Sequence, residues 1–188
     1  MDNSPKKIFL LLSDGTTIRN FLTTDIIKYI LENSNFEVIC ILKNSKRYSS
    51  LFIDPRVSYL ELHRKKSWSI SSILLLIMRS RFLAINENLS LDILFKSLPY
   101  YRLDNLIRHP FPKSKIIFNC LDRFHKYFYF PLKDVQRQFE EINPDLVVST
   151  HLIKRDEYDY LMLARSKGIP TLGMVKSFDN ISGKGYLA

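Results

Sequence analysis

The sequence contains little cysteine, with only Cys40 and Cys120 among 188 residues. Two cysteines do not build a disulfide framework, and no group of cysteine and histidine has the spacing of a zinc site. Cys40 lies within the apolar run 38–42, which predicts a small, buried hydrophobic side chain. This use of cysteine favours a reducing compartment.

Glycine is also scarce, with five residues in the chain. The polar loop that follows the first apolar run contains Gly15, but no second or third glycine follows at the required spacing. This excludes both the dinucleotide-binding fingerprint and the phosphate-binding P-loop. No cofactor and no metal ion are therefore predicted.

Long uncharged segments are missing as well. The longest one covers residues 67–78, twelve residues, whereas a transmembrane helix needs about 20 apolar residues. The apolar run 8–12 is too short for the core of a signal peptide. We therefore expect a cytoplasmic protein, and peripheral association with the inner face of the membrane stays open.

The composition is that of a folded domain, with 46% hydrophobic and 25% charged residues. The net charge is +9, and residues 67–133 alone carry 10 basic and 4 acidic residues. A basic surface of this kind suits nucleic acid, an anionic membrane surface or a phosphorylated substrate. The last third, residues 134–188, has 7 basic and 8 acidic residues, which argues against nucleic acid.

Apolar runs alternate with helical patterns at both ends of the chain. Continuous apolar runs are typical of strands buried on both faces of a parallel sheet. The predicted strands cover 8–12, 36–42, 57–62, 146–149 and 171–175, and the predicted helices cover 21–31, 132–142 and 156–167. Gly168 is placed to cap the last helix in a left-handed conformation. The pattern predicts one α/β, Rossmann-like domain over 1–188, with a mainly parallel sheet and helices on both faces.

The middle of the chain has a weaker pattern. Residues 67–97 are helical in their spacing, and they suit a core helix or a helix lying on an anionic membrane. A short strand over 116–118 and a helix over 122–130 are predicted. The aromatic and basic residues between Tyr100 and Tyr129 could stack bases and neutralise phosphates, but no nucleic-acid-binding motif accompanies them.

Ligands of an open parallel sheet bind outside the carboxyl ends of the strands, and this rule selects three loops. In the first loop, Asp14 is a candidate base for a sugar hydroxyl, and the start of the next helix could hold an anion. The candidate substrate-binding residues of this loop are Gly15, Thr16, Thr17 and Arg19. The structural alternative is a turn at Asp14 and Gly15, with Thr16 or Thr17 capping the helix.

The second and third loops follow the last two predicted strands. His151 is a candidate base or phosphate ligand, or a structural histidine bonded to the backbone. Lys154 and Arg155 could bind phosphate, or they could be solvated charges paired with the acidic residues Asp156, Glu157 and Asp159. In the third loop the candidates are Ser177, Asp179 as a base, and Asn180.

Segments at both ends of the chain carry a family resemblance, beginning with the strand Lys7-Ile8-Phe9-Leu10 and the polar loop that contains Arg19. Residues 143–150 (Asn-Pro-Asp-Leu-Val-Val-Ser-Thr) and 164–171 (Ala-Arg-Ser-Lys-Gly-Ile-Pro-Thr) resemble the first domain of GT-B glycosyltransferases. Residues 176–185 (Lys-Ser-Phe-Asp-Asn-Ile-Ser-Gly-Lys-Gly) are similar to a Ser-Trp-Asp-Asn-Leu-Thr-Ser-Lys-Gly segment of bacterial surface-polysaccharide glycosyltransferase-like proteins. Residues 60–130 have no part in the resemblance.

The resemblance implies the acceptor-binding half of a glycosyltransferase that transfers a sugar from a nucleotide-sugar to a surface-polysaccharide or lipid-linked acceptor. Asp14, Asp179 and His151 would then be the candidate bases. The second, donor-binding domain is absent from residues 1–188, so we expect a fragment, a subunit that needs a partner chain, or an inactive remnant, and no transfer by these residues alone. Whether the chain is an enzyme is left open, and a non-catalytic α/β binding module or a basic nucleic-acid-binding protein are the alternatives.

Overall fold

The fold is built on a five-stranded sheet in which all strands are parallel. The computed structural model describes residues 4–63, 116, 119–120, 123–124, 131–151 and 155–174. The strands are β1 (Lys6–Leu12), β2 (Phe36–Leu42), β3 (Val57–Glu61), β4 (Leu146–Ser149) and β5 (Thr171–Gly173). Their order in the sheet is β3-β2-β1-β4-β5. The protein therefore has the predicted α/β, Rossmann-like fold.

Five helices with bounds inside the described ranges accompany these strands. They are α1 (Gly15–Thr23), α2 (Ile26–Glu32), α3 (Ser45–Tyr48), α4 (Lys133–Ile142) and α5 (Arg155–Ser166). Each strand is followed or preceded by a helix, so the connections between parallel neighbours are crossovers.

The two faces of the sheet are covered by different helices. Leu10 and Leu12 of β1 belong to a buried cluster with residues of α1 and α2, including Ile18 and Ile27. Phe9 points to the opposite face, because side chains alternate along a strand. There its ring meets the ring of Phe139 on α4 edge-on, with centroids 5.1 Å apart. The predicted cover on both faces is confirmed.

The Asn-Pro-Asp segment, residues 143–145, lies at the amino ends of β1 and β4. Asp145 accepts a hydrogen bond from the Lys7 backbone N–H at 2.8 Å through Oδ2, and its own N–H donates to the Lys7 carbonyl at 2.8 Å. Asn143 ends α4 in a left-handed conformation, with φ 52°. This segment lies at the edge opposite the carboxyl ends of the strands, so its role there is structural.

Several element boundaries differ from the sequence predictions. The single helix predicted over 21–31 is two helices, because the chain breaks at Thr24 and Asp25. The short helix α3 was not predicted, since its four residues carry no apolar repeat. The strand predicted over 116–118 is wrong at Ile116, which is helical. Gly168 does adopt the predicted left-handed conformation, with φ 70°.

The chain divides into two compact units. One comprises residues 1–65 and 131–176 and contains all the elements named above, and the other comprises 66–130 and 177–188. The prediction of a single domain over 1–188 stays a prediction. Within the described residues, no helix combines the length and the apolar character that crossing a membrane requires.

Candidate functional site

The strand order defines one point in the sheet where a ligand crevice is expected. From β1 the chain proceeds to β2 and β3 on one side, and β4 and β5 lie on the other side. At such a switch point the loops after the two central strands diverge to opposite faces and leave a crevice. The rim of this crevice consists of Ser13 and Asp14 after β1 and of Thr150 and His151 after β4.

Asp14 caps helix α1. Its Oδ1 accepts a hydrogen bond from the Thr17 N–H at 2.9 Å, and its Oδ2 accepts one from the Thr17 hydroxyl at 2.8 Å. Both oxygens therefore serve the start of the helix, as a capping carboxylate does. The alternative in which Thr16 or Thr17 is the cap is wrong, because Thr17 is the donor to the cap. The turn at Asp14 and Gly15 is thus a helix start.

Three other predicted residues of the first loop are exposed on the rim. Gly15, Thr16 and Arg19 all lie on the solvent side of the first turns of α1. A Cβ atom at Gly15 would meet no atom within 4 Å, so the space over this residue is open. Thr17 differs from them, because it is buried and its hydroxyl is engaged by Asp14.

The end of β4 brings two buried hydroxyl groups to the rim. Ser149 and Thr150 are both fully buried. The Thr150 hydroxyl donates to the Leu11 carbonyl of β1 at 2.7 Å, which ties the exit of β4 to its neighbour. His151 follows directly and is half-buried. Thus the structure places His151 and Asp14, each two residues beyond the end of its strand, on adjacent strands at one edge.

A buried carboxyl group lies beneath this rim. Glu157 in the first turn of α5 is fully buried. Its Oε2 accepts hydrogen bonds from the Ser149 hydroxyl at 2.6 Å and from the His151 backbone N–H at 3.0 Å. Its Oε1 lies 3.5 Å from the Thr150 hydroxyl oxygen. Three consecutive residues at the exit of β4 therefore converge on one carboxyl group.

The surroundings of Glu157 shift the pKa of its carboxyl group in opposite directions. Burial raises the pKa of the Glu157 carboxyl, because the charged form loses water. Hydrogen bonds from Ser13, Ser149 and the His151 N–H lower it, but burial prevails and the net direction is upward. Ser13 lies beyond the end of β1, so donors from both central strands meet at this group.

An ion pair crosses the rim near the same place. Lys43, which follows β2, pairs with Asp156 at the start of α5. Since β1 lies between β2 and β4 in the sheet, this pair spans the carboxyl end of β1. It therefore holds the start of α5 over the two central strands.

The acidic residues of α5 are buried, contrary to expectation. The exposed fractions are 8% for Asp156, 0% for Glu157 and 7% for Asp159. These acidic side chains are therefore not solvated, and the pairing of Lys154 and Arg155 with them stays a prediction. Every residue from 156 to 164 is buried, whereas Arg165 and Ser166 at the end of the helix are exposed.

The carboxyl end of β3 is held by a separate polar network. The Tyr160 hydroxyl of α5 donates to Gln138 Oε1 of α4 at 2.7 Å and accepts from the His63 N–H at 3.3 Å. Gln138 Nε2 in turn donates to the Glu61 carbonyl at 3.0 Å. This network fixes α4 and α5 against the edge of the sheet.

Glu61 also serves a neighbouring loop. Its carboxylate accepts hydrogen bonds from the Asn44 N–H at 2.9 Å and the Ser45 N–H at 3.0 Å, at the start of α3. Burial raises the pKa of the Glu61 carboxyl, but the donors at Ser45 and Asn44 outweigh it, and the net direction is downward.

The remaining predicted residues lie outside the described part of the chain or at its border. Lys154, Ser177, Asp179 and Asn180 are among the residues outside it, so their placement at the rim stays a prediction. Arg155 is the first residue of α5. Among the described residues, no group of three histidine, cysteine, aspartate or glutamate side chains is arranged to hold a metal ion.

Sequence reasoning missed Glu157 as a member of the site. The acidic pair Asp156 and Glu157 at a helix start is a common solvated pattern, and it gives no sign that both side chains are buried. One signal was present, because Ser149 and Thr150 end an apolar strand with two hydroxyl groups that need partners once buried.

The fold and the rim define a Rossmann-like α/β protein in which polar groups follow β1 and β4 at one edge of the sheet. No protein-family model matches this chain, and no curated protein sequence matches it.

Proposed function

We propose that this chain is the acceptor-binding half of a GT-B glycosyltransferase, acting on a surface-polysaccharide or lipid-linked acceptor with a nucleotide-sugar donor. The observation that carries the proposal is the rim at the switch point, where hydroxyl, carboxyl and imidazole groups follow β1 and β4. Such groups suit the recognition of sugar hydroxyls, which both donate and accept hydrogen bonds. The resemblance of residues 143–150, 164–171 and 176–185 to glycosyltransferase segments supports the same assignment.

Within this proposal the candidate bases have different roles. Asp14 holds two hydrogen bonds from Thr17, which suits a residue that shapes the rim. The His151 imidazole belongs to a half-buried residue of the same rim, and histidine exchanges protons near neutral pH. His151 is therefore the favoured base for the acceptor hydroxyl, and Asp179 keeps its place as a further candidate. Gly15, Thr16 and Arg19 would line the acceptor path.

In this proposal the chain works at the cytoplasmic face of the membrane, where its net charge of +9 would favour anionic lipid. Cosedimentation with vesicles that contain phosphatidylglycerol, compared with vesicles of phosphatidylcholine alone, tests this location. Binding to a random oligonucleotide in place of vesicles would support the nucleic-acid alternative instead.

The acceptor role is tested by saturation-transfer NMR with a set of methyl glycosides and a short-chain prenyl diphosphate sugar. We expect transfer to the sugar protons, and we expect Gly15→Ala to weaken it. The added methyl group projects into open space, so it obstructs an approaching ligand without a clash inside the protein. An unchanged or raised unfolding temperature of Gly15→Ala is the control. The absence of transfer to every sugar tested would refute the acceptor role.

A non-catalytic binding module is the second candidate, and one observation favours it. Both carboxylate oxygens of Asp14 accept hydrogen bonds from Thr17 at the start of α1, which is the arrangement of a structural helix cap. The two candidates differ in pH dependence. A base at His151 predicts that glycoside binding weakens at acid pH and that His151→Gln removes this dependence. A non-catalytic binding module predicts that His151→Gln leaves the pH dependence of glycoside binding unchanged.

A further inference from the structure

Glu157 connects the two segments that form the rim of the crevice. On one side, the Ser149 hydroxyl and the His151 N–H donate to its Oε2 at 2.6 and 3.0 Å. On the other side, the Thr150 hydroxyl oxygen lies 3.5 Å from Glu157 Oε1, and this hydroxyl donates to the Leu11 carbonyl of β1 at 2.7 Å. The Ser13 N–H beyond β1 adds a hydrogen bond to the same carboxyl group. The carboxyl group therefore lies between the exits of the two central strands.

The hydrogen bonds of this carboxyl group differ from those of a glutamate at an ordinary helix start. A glutamate in the first turn often accepts a hydrogen bond from the N–H just before its own helix. Glu157 instead reaches the N–H of a residue six positions earlier, and a hydroxyl eight positions earlier, at the end of β4. Its hydrogen bonds thus organise the rim of the crevice.

Burial of a charge makes such an arrangement costly unless it is fully hydrogen-bonded. Glu157 has no exposed surface. The groups that face it are the backbone N–H of Ser13 and the hydroxyls of Ser149 and Thr150, and the neighbouring charged pair is Asp156 with Lys43. A buried acid that satisfies donors on two strand exits fixes those exits relative to each other, because moving either one would leave a buried group unpaired.

We infer that Glu157 is a positioning residue of the crevice, holding the Ser13 and His151 segments in the arrangement that an acceptor sugar contacts. Its consequence for ligand binding rests on the proposed function above. Glu157 is enclosed and does not touch the ligand itself. It acts through the backbone of His151 and through Ser13.

The experiment uses the full chain, with Glu157→Leu and Glu157→Gln, and with the same two changes at Glu140, which is exposed on α4. Backbone amide NMR follows the signals of Ser13 and His151, and the methyl glycosides serve as the ligand probe. Leucine removes both acceptor oxygens, whereas glutamine keeps one. We expect Glu157→Leu to displace both amide signals and to weaken glycoside binding roughly tenfold, as expected for loss of a hydrogen bond to a charged group.

Rescue by the conservative change separates positioning from simple loss of stability. Glu157→Gln should leave the amide signals and the affinity closer to wild type than Glu157→Leu does, and the Glu140 variants should change neither. If Glu157→Leu does not fold, a pH titration of the wild-type protein still tests the positioning role. The His151 amide signal should follow the titration of the Glu157 carboxyl group, which its N–H contacts.

The possible results separate the two proposals. Amide signals of Ser13 and His151 that neither titrate with Glu157 nor move in its variants overturn the positioning role. Displaced amide signals with unchanged glycoside affinity overturn the positioning role as well. Glycoside binding would then not depend on how Glu157 holds the Ser13 and His151 segments. If the wild-type protein binds no glycoside, the proposed function fails, while the amide signals still decide whether Glu157 holds the two segments.

Discussion

The Tyr160 hydroxyl on α5 donates a hydrogen bond to Gln138 Oε1 on α4 at 2.7 Å, and both side chains are buried. The same hydroxyl accepts the His63 N–H at 3.3 Å. One phenol thus joins two helices and the end of β3. Burial raises the pKa of Tyr160, which favours the neutral hydroxyl that donates this hydrogen bond.

Tyr160→Phe is expected to destabilise the protein by about 1–3 kcal/mol, because Gln138 and His63 lose a buried partner. The free energy of unfolding from urea titration measures the effect. Tyr29→Phe is the matched control, since Tyr29 is 67% exposed and should change little. Equal effects of the two substitutions would show that the buried network contributes nothing specific.

The cap at Asp14 makes a second prediction. Asp14→Ala should cost about 0.5–2 kcal/mol of stability, whereas Asp14→Ser should retain most of it, because a serine hydroxyl also caps a helix. Asp25→Ala is the control, since Asp25 occupies the same position before α2 but makes no side-chain capping bond. Urea titration again measures all three. A large loss on Asp25→Ala would mean that helix-end charge, and not the hydrogen bond, sets the effect.

The two cysteines should differ sharply in reactivity. Burial raises the pKa of the Cys40 thiol to about 12, and this residue has no exposed surface, whereas Cys120 is exposed. The thiolate is the reactive form. An aromatic disulfide reagent at neutral pH should therefore label Cys120 quickly and Cys40 only in denaturant. Cys120→Ser should abolish the fast phase. Fast labelling that persists in this variant would place Cys40 at the surface.

Stability should respond to pH in opposite directions at Glu157 and Glu61. The folded pKa of Glu157 is raised above 4.5, so its contribution is fully present below that pH and is lost as the pH rises through the folded value. The folded pKa of Glu61 is lowered below 4.5. Its contribution is therefore present above that pH and is lost as the pH falls through the folded value.

Unfolding titrations across the acid range, on wild type and on the two glutamine variants, measure these slopes. Relative to Glu157→Gln, the wild type should lose stability with rising pH in the window that begins near 4.5. Relative to Glu61→Gln, it should lose stability as the pH falls below 4.5. Slopes of the same sign for both pairs would contradict the two opposite shifts.

Much of the sheet could be predicted because burial leaves a local signature. The apolar runs at β1 and β2 are continuous, which is typical of strands covered on both faces. Gly168 marked the end of α5 correctly, since a left-handed residue is needed there. The split between α1 and α2 was missed, because Phe21, Leu22, Ile26 and Ile27 keep a helical spacing across the break.

The candidate site was predicted in part. The rule on carboxyl ends of parallel strands placed Asp14 and His151 at one edge, and the parallel pairing of β1 with β4 confirms this edge. The rule could not assign Asp14 to the cap of α1, because a base and a cap call for the same residue type after a strand. It also gave no reason to choose Glu157 over Asp156.

The amino-acid sequence by itself determined the alternation of strands and helices, because the spacing of apolar residues is a local property that each segment carries alone. Only the tertiary structure decided that β4 joins β1, that residues 156–164 of α5 are buried, and that Glu157 meets donors from two strand exits. Those features depend on pairing between segments more than a hundred residues apart, and the energy of burying a carboxyl group is settled by the partners that such pairing brings to it.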